Sequence, residues 1–327
     1  MRVTSRDPHG RDRGAVAAIV CVIMVVAIGG AAFAVDSGNL WQTRRNLNTV
    51  SDAAALGAAQ EFAFDRDGCA TVDDELATAN NPDAVVTECT DHPDGDAGYV
   101  TVSVQETVEF AFAKIFGMET SDVTSTTHVR YGYATAAQGL RPMGLCIEAN
   151  PQFSAWLNLP DGPTADSAVI RVFYNKDHPD ACGGEAPGNW GLLDFNGGSN
   201  SNAELKDWVA NGYTGWVNVG EQVEGAPGAF GNSLDIDQLE GQTFTIPVFD
   251  EVSGTGANTQ FHIISFVTVE LVDVNDTGSQ ADRYMDLIFK PGILIGGRCC
   301  SSTGTDTGDR AQEICGVDPS APSGCSP

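Results

Sequence analysis

GAVAAIVCVIMVVAIGGAAFAV at positions 14–35, running straight into DSGNLWQTRRNLNTVSDAAALGAAQEFAF at positions 36–64, is the stretch that decides how this chain is built. The first part holds 22 residues and no charged side chain. As an α-helix it extends about 33 Å at roughly 1.5 Å per residue, enough to cross the apolar core of a bilayer. Arg2, Arg6, Arg11 and Arg13 precede it and an acidic chain follows, so the excess of arginine places the N-terminus in the cytoplasm and the rest outside; Arg44 and Arg45 oppose this only slightly. Ala32-Phe33-Ala34 also has the form of a signal-peptidase site. A cleavable export signal is therefore the alternative to a retained anchor, and either one exports residues 36–327.

Beyond Asp36 the pattern changes character without breaking. Leu40, Leu47, Val50, Ala54, Ala58 and Phe62 recur on one face of a helix, so the anchor is expected to continue outward as an amphipathic helix to about residue 64. Within it, SDAAALGAA at 51–59 is a run of small residues that lets another element approach closely. That element is either the chain's own exported part or a neighbouring molecule.

The full chain has 327 residues, of which 42% are hydrophobic, and that length allows about two domains. Its formal charge is −27; the segment before Gly14 carries +2, leaving −29 for the remainder. So acidic an exported part repels phosphate backbones, which excludes nucleic acid as an expected partner and leaves the charge a solubilising role. Cys21 lies in the apolar span, whereas Cys69, Cys89, Cys146, Cys182, Cys299, Cys300, Cys315 and Cys325 lie beyond it, an even set that fits disulfides in an oxidising compartment. The expected pairs are Cys69 with Cys89 and Cys146 with Cys182, with the last four paired among themselves.

Further along, residues 84–88 and 99–104 read as the strands of a hairpin around a loop at 91–98, and 109–116 (EFAFAKIF) reads as a short helix ended by Gly117. Residues 122–133 return to β-branched and aromatic types. After Gly139, strands are expected at 168–174, 215–223, 243–249, 262–274 and 284–289, with one helix at about 203–211. The Ser/Thr/Gly/Pro-rich tail after Arg298 is expected to be flexible apart from its cysteines.

The templates of catalysis each lack a part. GxSxG, HExxH, GxxxxGK[ST] and a dinucleotide-binding GxGxxG are missing, and no CxxC supports zinc. His9, His92, His128, His178 and His262 are scattered through the head, loops and strands. Asp273, Asn275, Thr277 and Gly278 resemble the first half of a calcium loop, but Tyr284 stands where the bidentate glutamate belongs, so an Asn/Asp/Gly turn between strands is the preferred reading. No cofactor, metal or catalytic residue is assigned, and the expectation is a protein that is not an enzyme. The rival expectation, a secreted hydrolase or carbohydrate-binding protein with an export helix, needs an aromatic groove built from Trp156, Trp190, Trp208 and Trp216.

The order of features, an apolar helix followed at once by Val35-Asp36-Ser37-Gly38, then Arg44-Arg45-Asn46-Leu47, then Ser51-Asp52 and the Ala-rich run to Ala59, resembles the N-terminal segment of TadE/TadG-like proteins. These are bitopic components of bacterial tight-adherence (Flp-type) pilus machinery. The likeness extends more loosely to about Ala136, and weaker similarity to actinobacterial ectodomains runs through 188–195, 246–250 and 261–271. Two features depart from it. Ile19 stands where a prepilin-peptidase substrate would carry glutamate five residues after Gly14, and Gly197 precedes Ser199-Asn200-Ser201 where a von Willebrand A metal motif would need aspartate.

The resemblance implies an α+β protein: a cytoplasmic head (1–13), a transmembrane helix (14–35), a pilin-like helix-plus-sheet unit (36–138), a β-rich extracellular domain (139–298) and a Cys-containing flexible tail (299–327). Asp36, Leu47, Asp52, Ala54 and Ala58 are the expected assembly residues, and the expected partners are the cell membrane, other pilus-assembly or secretion proteins, and further copies of the chain.

Overall fold

The computed structural model describes residues 12–72, 76–148, 151–159, 168–173, 190–198, 201–226, 234–254, 258–275, 278–279, 282–317 and 325. In chain order its first elements are the helices α1 (Asp12–Phe62), α2 (Gly68–Thr71) and α3 (Ala77–Asn80), followed by the strands β1 (Val85–Asp94), β2 (Ala97–Glu109), β3 (Thr120–Gly132), β4 (Ala136–Ala137) and β5 (Met143–Cys146). Next come α4 (Pro151–Leu157), β6 (Ile170–Phe173), β7 (Trp190–Asp194), α5 (Asn202–Asn211), β8 (Val217–Asn218) and β9 (Gln222–Gly225). The remaining strands are β10 (Thr243–Ser253), β11 (Gln260–Asn275), β12 (Tyr284–Phe289), β13 (Gly297–Arg298) and β14 (Ala311–Gly316). The architecture is α+β, with one long N-terminal helix and a β-rich remainder.

Helix α1 is one uninterrupted element of 51 residues, about 76 Å long at roughly 1.5 Å per residue. Its outer part lies on a four-stranded antiparallel sheet in the order β1-β2-β3-β14. Alternation along the strands explains the packing: Val100, Val102 and Val104 of β2 and Val129 and Tyr131 of β3 join Leu47, Val50, Ala54 and Ala58 in one buried cluster, whereas Thr101, Ser103, Thr126 and His128 belong to the other face.

Three sequence expectations around this sheet need correction. The segment 91–98 is strand on both sides of a two-residue turn, because Asp94 pairs with Ala97 around Gly95, which takes the left-handed φ of +64°. Its polar residues find partners across the sheet: His92 stacks on Tyr99 at 4.4 Å, and the Tyr131 hydroxyl donates to Asp91 at 2.7 Å. Residues 109–116 are not one helix. Pairing with Thr120 carries β2 through Glu109, and only Ala113–Phe116 turns, as a short 3-10 helix.

The third correction concerns the tail. In place of a flexible segment, β14 pairs antiparallel with β3, Ala311 opposite Gly132 and Ile314 opposite Val129, so sequence far from the helix completes its sheet. Arg310 secures the crossing: it is 7% exposed, hydrogen-bonds Asp306 at 2.8 Å and lies 4.3 Å from the centre of the Tyr133 ring. Composition predicted flexibility because few apolar residues are present; backbone pairing with an open strand edge supplies what the side chains do not.

In the β-rich part the pairings close on themselves. Strand β10 runs parallel to β5, β5 pairs with β7, β7 with β9, β9 with β11, and β11 returns to β10, with β12 and β6 extending from β11. Cys146, Leu193, Val223, Phe249, Phe261 and Ile263 come one or two from each strand of this ring and share one buried cluster. The strand expected at 215–223 is two short ones, separated by a turn at Gly220 with φ +84°.

Candidate functional site

Helix α1 divides into a bare part, a joint and a covered part. In the bare part, the most apolar window of 18 residues has a mean hydropathy of 2.8 and none of it is buried within the protein. Val25 is 70% exposed and Phe33 75%. A core helix of a soluble domain would be covered, so water is not the solvent this surface fits; in lipid a helix also satisfies its own backbone polar groups. Among the described residues it is the one helix long and apolar enough to cross a membrane.

The joint is Asp36, only 7% exposed. Its carboxylate accepts hydrogen bonds from the backbone N–H groups of Ala111 at 2.8 Å, Phe112 at 3.1 Å and Ala113 at 2.7 Å, in the connection between β2 and β3. Desolvation pushes the carboxyl up, but the amides of Ala111, Ala113 and Phe112 outweigh it and hold the pKa below the ordinary aspartate value.

The covered part contains the other expected assembly residues. Leu47, Ala54 and Ala58 are each 0% exposed, against the chain's own sheet. Next to this face α2 closes in on a second neighbour: a Cβ on Gly68 would collide with the Ala58 carbonyl, and the Leu76 side chain lies over Gly57. The small residues of 51–59 are thus explained by two intramolecular approaches. Of the two expected neighbours for this run, the chain's own exported part accounts for Ser51, Ala54, Ala55, Ala58 and Ala59, which are buried, while Asp52, Ala53, Leu56 and Gly57 stay partly exposed.

Beside the alanines lies a buried polar cluster. Ser125 donates to Asn48 Oδ1 at 2.8 Å and Thr127 donates to Asp52 Oδ1 at 2.7 Å. The Ser51 Oγ lies between them, 2.9 Å from the Ser125 hydroxyl and 2.8 Å from that of Thr127, and with both of their protons committed its single proton can go to only one of the two. Asp52 therefore fixes β3 to the helix; it neither faces solvent freely nor waits for a partner.

With this geometry in view, residues 14–61 match the family model described as "Tad: Putative Flp pilus-assembly TadE/G-like". The long helix is a TadE/G-like segment. The TadE/G-like match stops one residue short of the end of α1 and takes in its bare part, joint and covered part, so what it recognises is the helix and neither sheet. No curated protein and no solved structure matches the chain.

Beyond the TadE/G-like helix, Cys69 is bonded to Cys89, Cys299 to Cys300 and Cys315 to Cys325. Cys146 is also disulfide-bonded, and Cys182, its expected partner, lies outside the described residues. The first bond ties α2 to β1 and so holds the small-residue approach at Gly68 in place. Sequence reasoning found Asp36 but not its partners, because they are backbone amides 75 residues away and amides leave no trace in residue type.

The aromatic groove of the rival expectation does not form from the tryptophans described. Trp156 and Trp208 are each 6% exposed and belong to the core of the β-rich part, while Trp216 lies under the Arg298 guanidinium at 4.4 Å. The calcium-like segment falls at the turn from β11 to β12, where Tyr284 donates to Asp273 at 2.8 Å; Asp276 and Thr277 are outside the described residues.

Proposed function

We propose that this chain is a non-enzymatic structural component of a tight-adherence (Flp-type) pilus assembly or its associated secretion machinery, anchored by one membrane-spanning helix with its N-terminus in the cytoplasm and its folded part outside. The observation that carries this reading is the coincidence of the TadE/G-like match, 14–61, with a single helix that is bare and apolar at one end and built into a folded unit at the other. An unbroken helix transmits position: the folded unit cannot rotate or translate without moving the segment in the bilayer. The outer small-residue face is occupied, which leaves the apolar half and the surface of the β-rich part for neighbouring components or further copies.

Ala34 is followed by helix without interruption, so cleavage there would require unwinding an ordered segment. Alkaline carbonate extraction of the full chain, followed by N-terminal mass analysis, is expected to leave it in the membrane pellet with residues 14–35 present. A soluble product beginning at Val35 would remove the anchor. In a host carrying the pilus machinery, deletion of the chain should lower surface pilin at least tenfold and re-expression restore it; unchanged fibres would end the assembly role.

A further inference from the structure

The connection between β2 and β3, FAFAKIFGM at 110–118, exposes large apolar side chains on a protein whose formal charge is −27. Ile115 is 81% exposed, Phe116 82%, Met118 55% and Phe112 40%. They are presented by a built turn. Ala113–Phe116 forms the 3-10 helix, Gly117 closes it at φ +81° with its N–H on the Lys114 carbonyl at 3.1 Å, and the Phe110 N–H bonds the Glu119 carbonyl at 3.0 Å. Asp36 grips the same turn through its amides.

The place of this turn along α1 gives it meaning. Ser51 meets β3 at Thr127, which pairs with Val102 of β2. From Ser51 back to Asp36 the helix covers about 22 Å, and from Val102 to Ala111 the strand covers about 30 Å. The hairpin therefore runs down the helix toward its apolar half and meets it at Asp36, the first residue after the uncharged span. Just outward, Trp41 is 63% exposed with the Arg45 guanidinium 4.8 Å from its ring centre, about 8 Å beyond Asp36 and so at headgroup depth.

We propose that the tip of this hairpin is a second membrane contact, inserting Phe112, Ile115, Phe116 and Met118 into the outer boundary of the bilayer beside the helix. The inference rests on the reading of residues 14–35 as a retained anchor. Lipid is the occupant because the tip continues the apolar surface of the helix, where Phe33 is 75% and Val35 54% exposed, at the level where that surface leaves the bilayer. Charge plays no part: between 110 and 118 the one ionised side chain is Lys114, whose ammonium is 2.9 Å from Glu109. Binding is therefore insensitive to salt and needs no anionic lipid. A single helix leaves tilt and rotation to its surroundings. Two contacts fix the folded part at one angle to the membrane.

The test uses the full chain in phosphatidylcholine vesicles, with the photoreactive residue p-benzoylphenylalanine placed singly at Val22, Phe116 or Ile295, and mass spectrometry of the adducts. Val22 reports the anchor. Ile295 is 96% exposed but lies near Arg310 and Phe64, at the other end of the covered helix and about 40 Å from Asp36, so it reports exposure without lipid. The expected result is phospholipid adducts at positions 22 and 116, unchanged by 1 M salt, and at least tenfold fewer at 295. An adduct at 22 without one at 116 overturns the tip contact while the anchor stands. A protein–protein adduct at 116 overturns it in favour of a second copy or another component. Absence at 22 removes the anchor, and the inference with it.

Discussion

The two halves of α1 are built from similar small and aliphatic residues, yet one is bare and the other is sealed. Between 16 and 35 the apolar residues occupy every side, Val25 being 70% and Phe33 75% exposed, and no single neighbour in the chain could cover them all. From 36 onward they are confined to a stripe, and Leu47, Ala54 and Ala58 are each 0% exposed because one sheet suffices to cover a stripe. Angular distribution and overall polarity together choose between lipid and protein as the solvent of this helix, since the inner part has no charged side chain and the outer part carries Asp36, Arg44, Arg45, Asp52 and Glu61.

The largest effect that would sharpen this contrast is expected from Leu47→Ala. It removes a fully buried side chain and should lower the stability of the helix-plus-sheet unit by roughly 2–5 kcal/mol, read as a shift of the urea midpoint in detergent, whereas Val25→Ala should leave that midpoint in place. Equal sensitivity at both positions would break the contrast. Ala58→Leu comes next. Overpacking against the sheet and Gly68 should cost about 1–3 kcal/mol by the same measurement, and a neutral result would mean the small residues serve some contact outside the fold.

The smallest effect concerns the joint. Because the Asp36 pKa is lowered on folding from 3.8, its contribution is complete above that value and is lost as pH falls through the lower, folded one. Amide exchange protection at Ala111 and Ala113 should be flat from pH 8 to 5 and fall only below about pH 4, the ordinary aspartate range. Asp36→Ala should lose the same protection at every pH while the urea midpoint moves little. Retained protection in that variant would show that the turn orders itself without the helix.

Much of this was legible in the chain, and the gaps have physical causes. The helix was readable to within two residues of its end because both its signals, an uncharged run and a recurring stripe, are local. Strand β12 and the long β11 were readable from β-branched and aromatic composition. Strand β14 was not, since Ala311–Gly316 has no alternation strong enough to announce a strand and becomes one only because β3 offers an unpaired edge. The closed ring of β5, β7, β9, β10 and β11 was equally hidden: apart from β10 with β11, its pairings are only two or three residues long and depend on neighbours remote in sequence. At the candidate site Asp36 and Asp52 stood out as acids on an apolar helix, but Ser125 and Thr127 look like any β-strand hydroxyls until Ser51 is found between them.

By itself the sequence determined that this protein carries one rod, apolar all round for its first half and striped for its second, because side-chain chemistry and helical period are properties of neighbouring residues. Only the tertiary structure decided what covers the stripe, that the tail completes the sheet, and that the tip at 110–118 returns to the level where the rod leaves its apolar span. Those outcomes turn on backbone hydrogen bonds between distant segments, and every residue type except proline offers the same N–H and C=O.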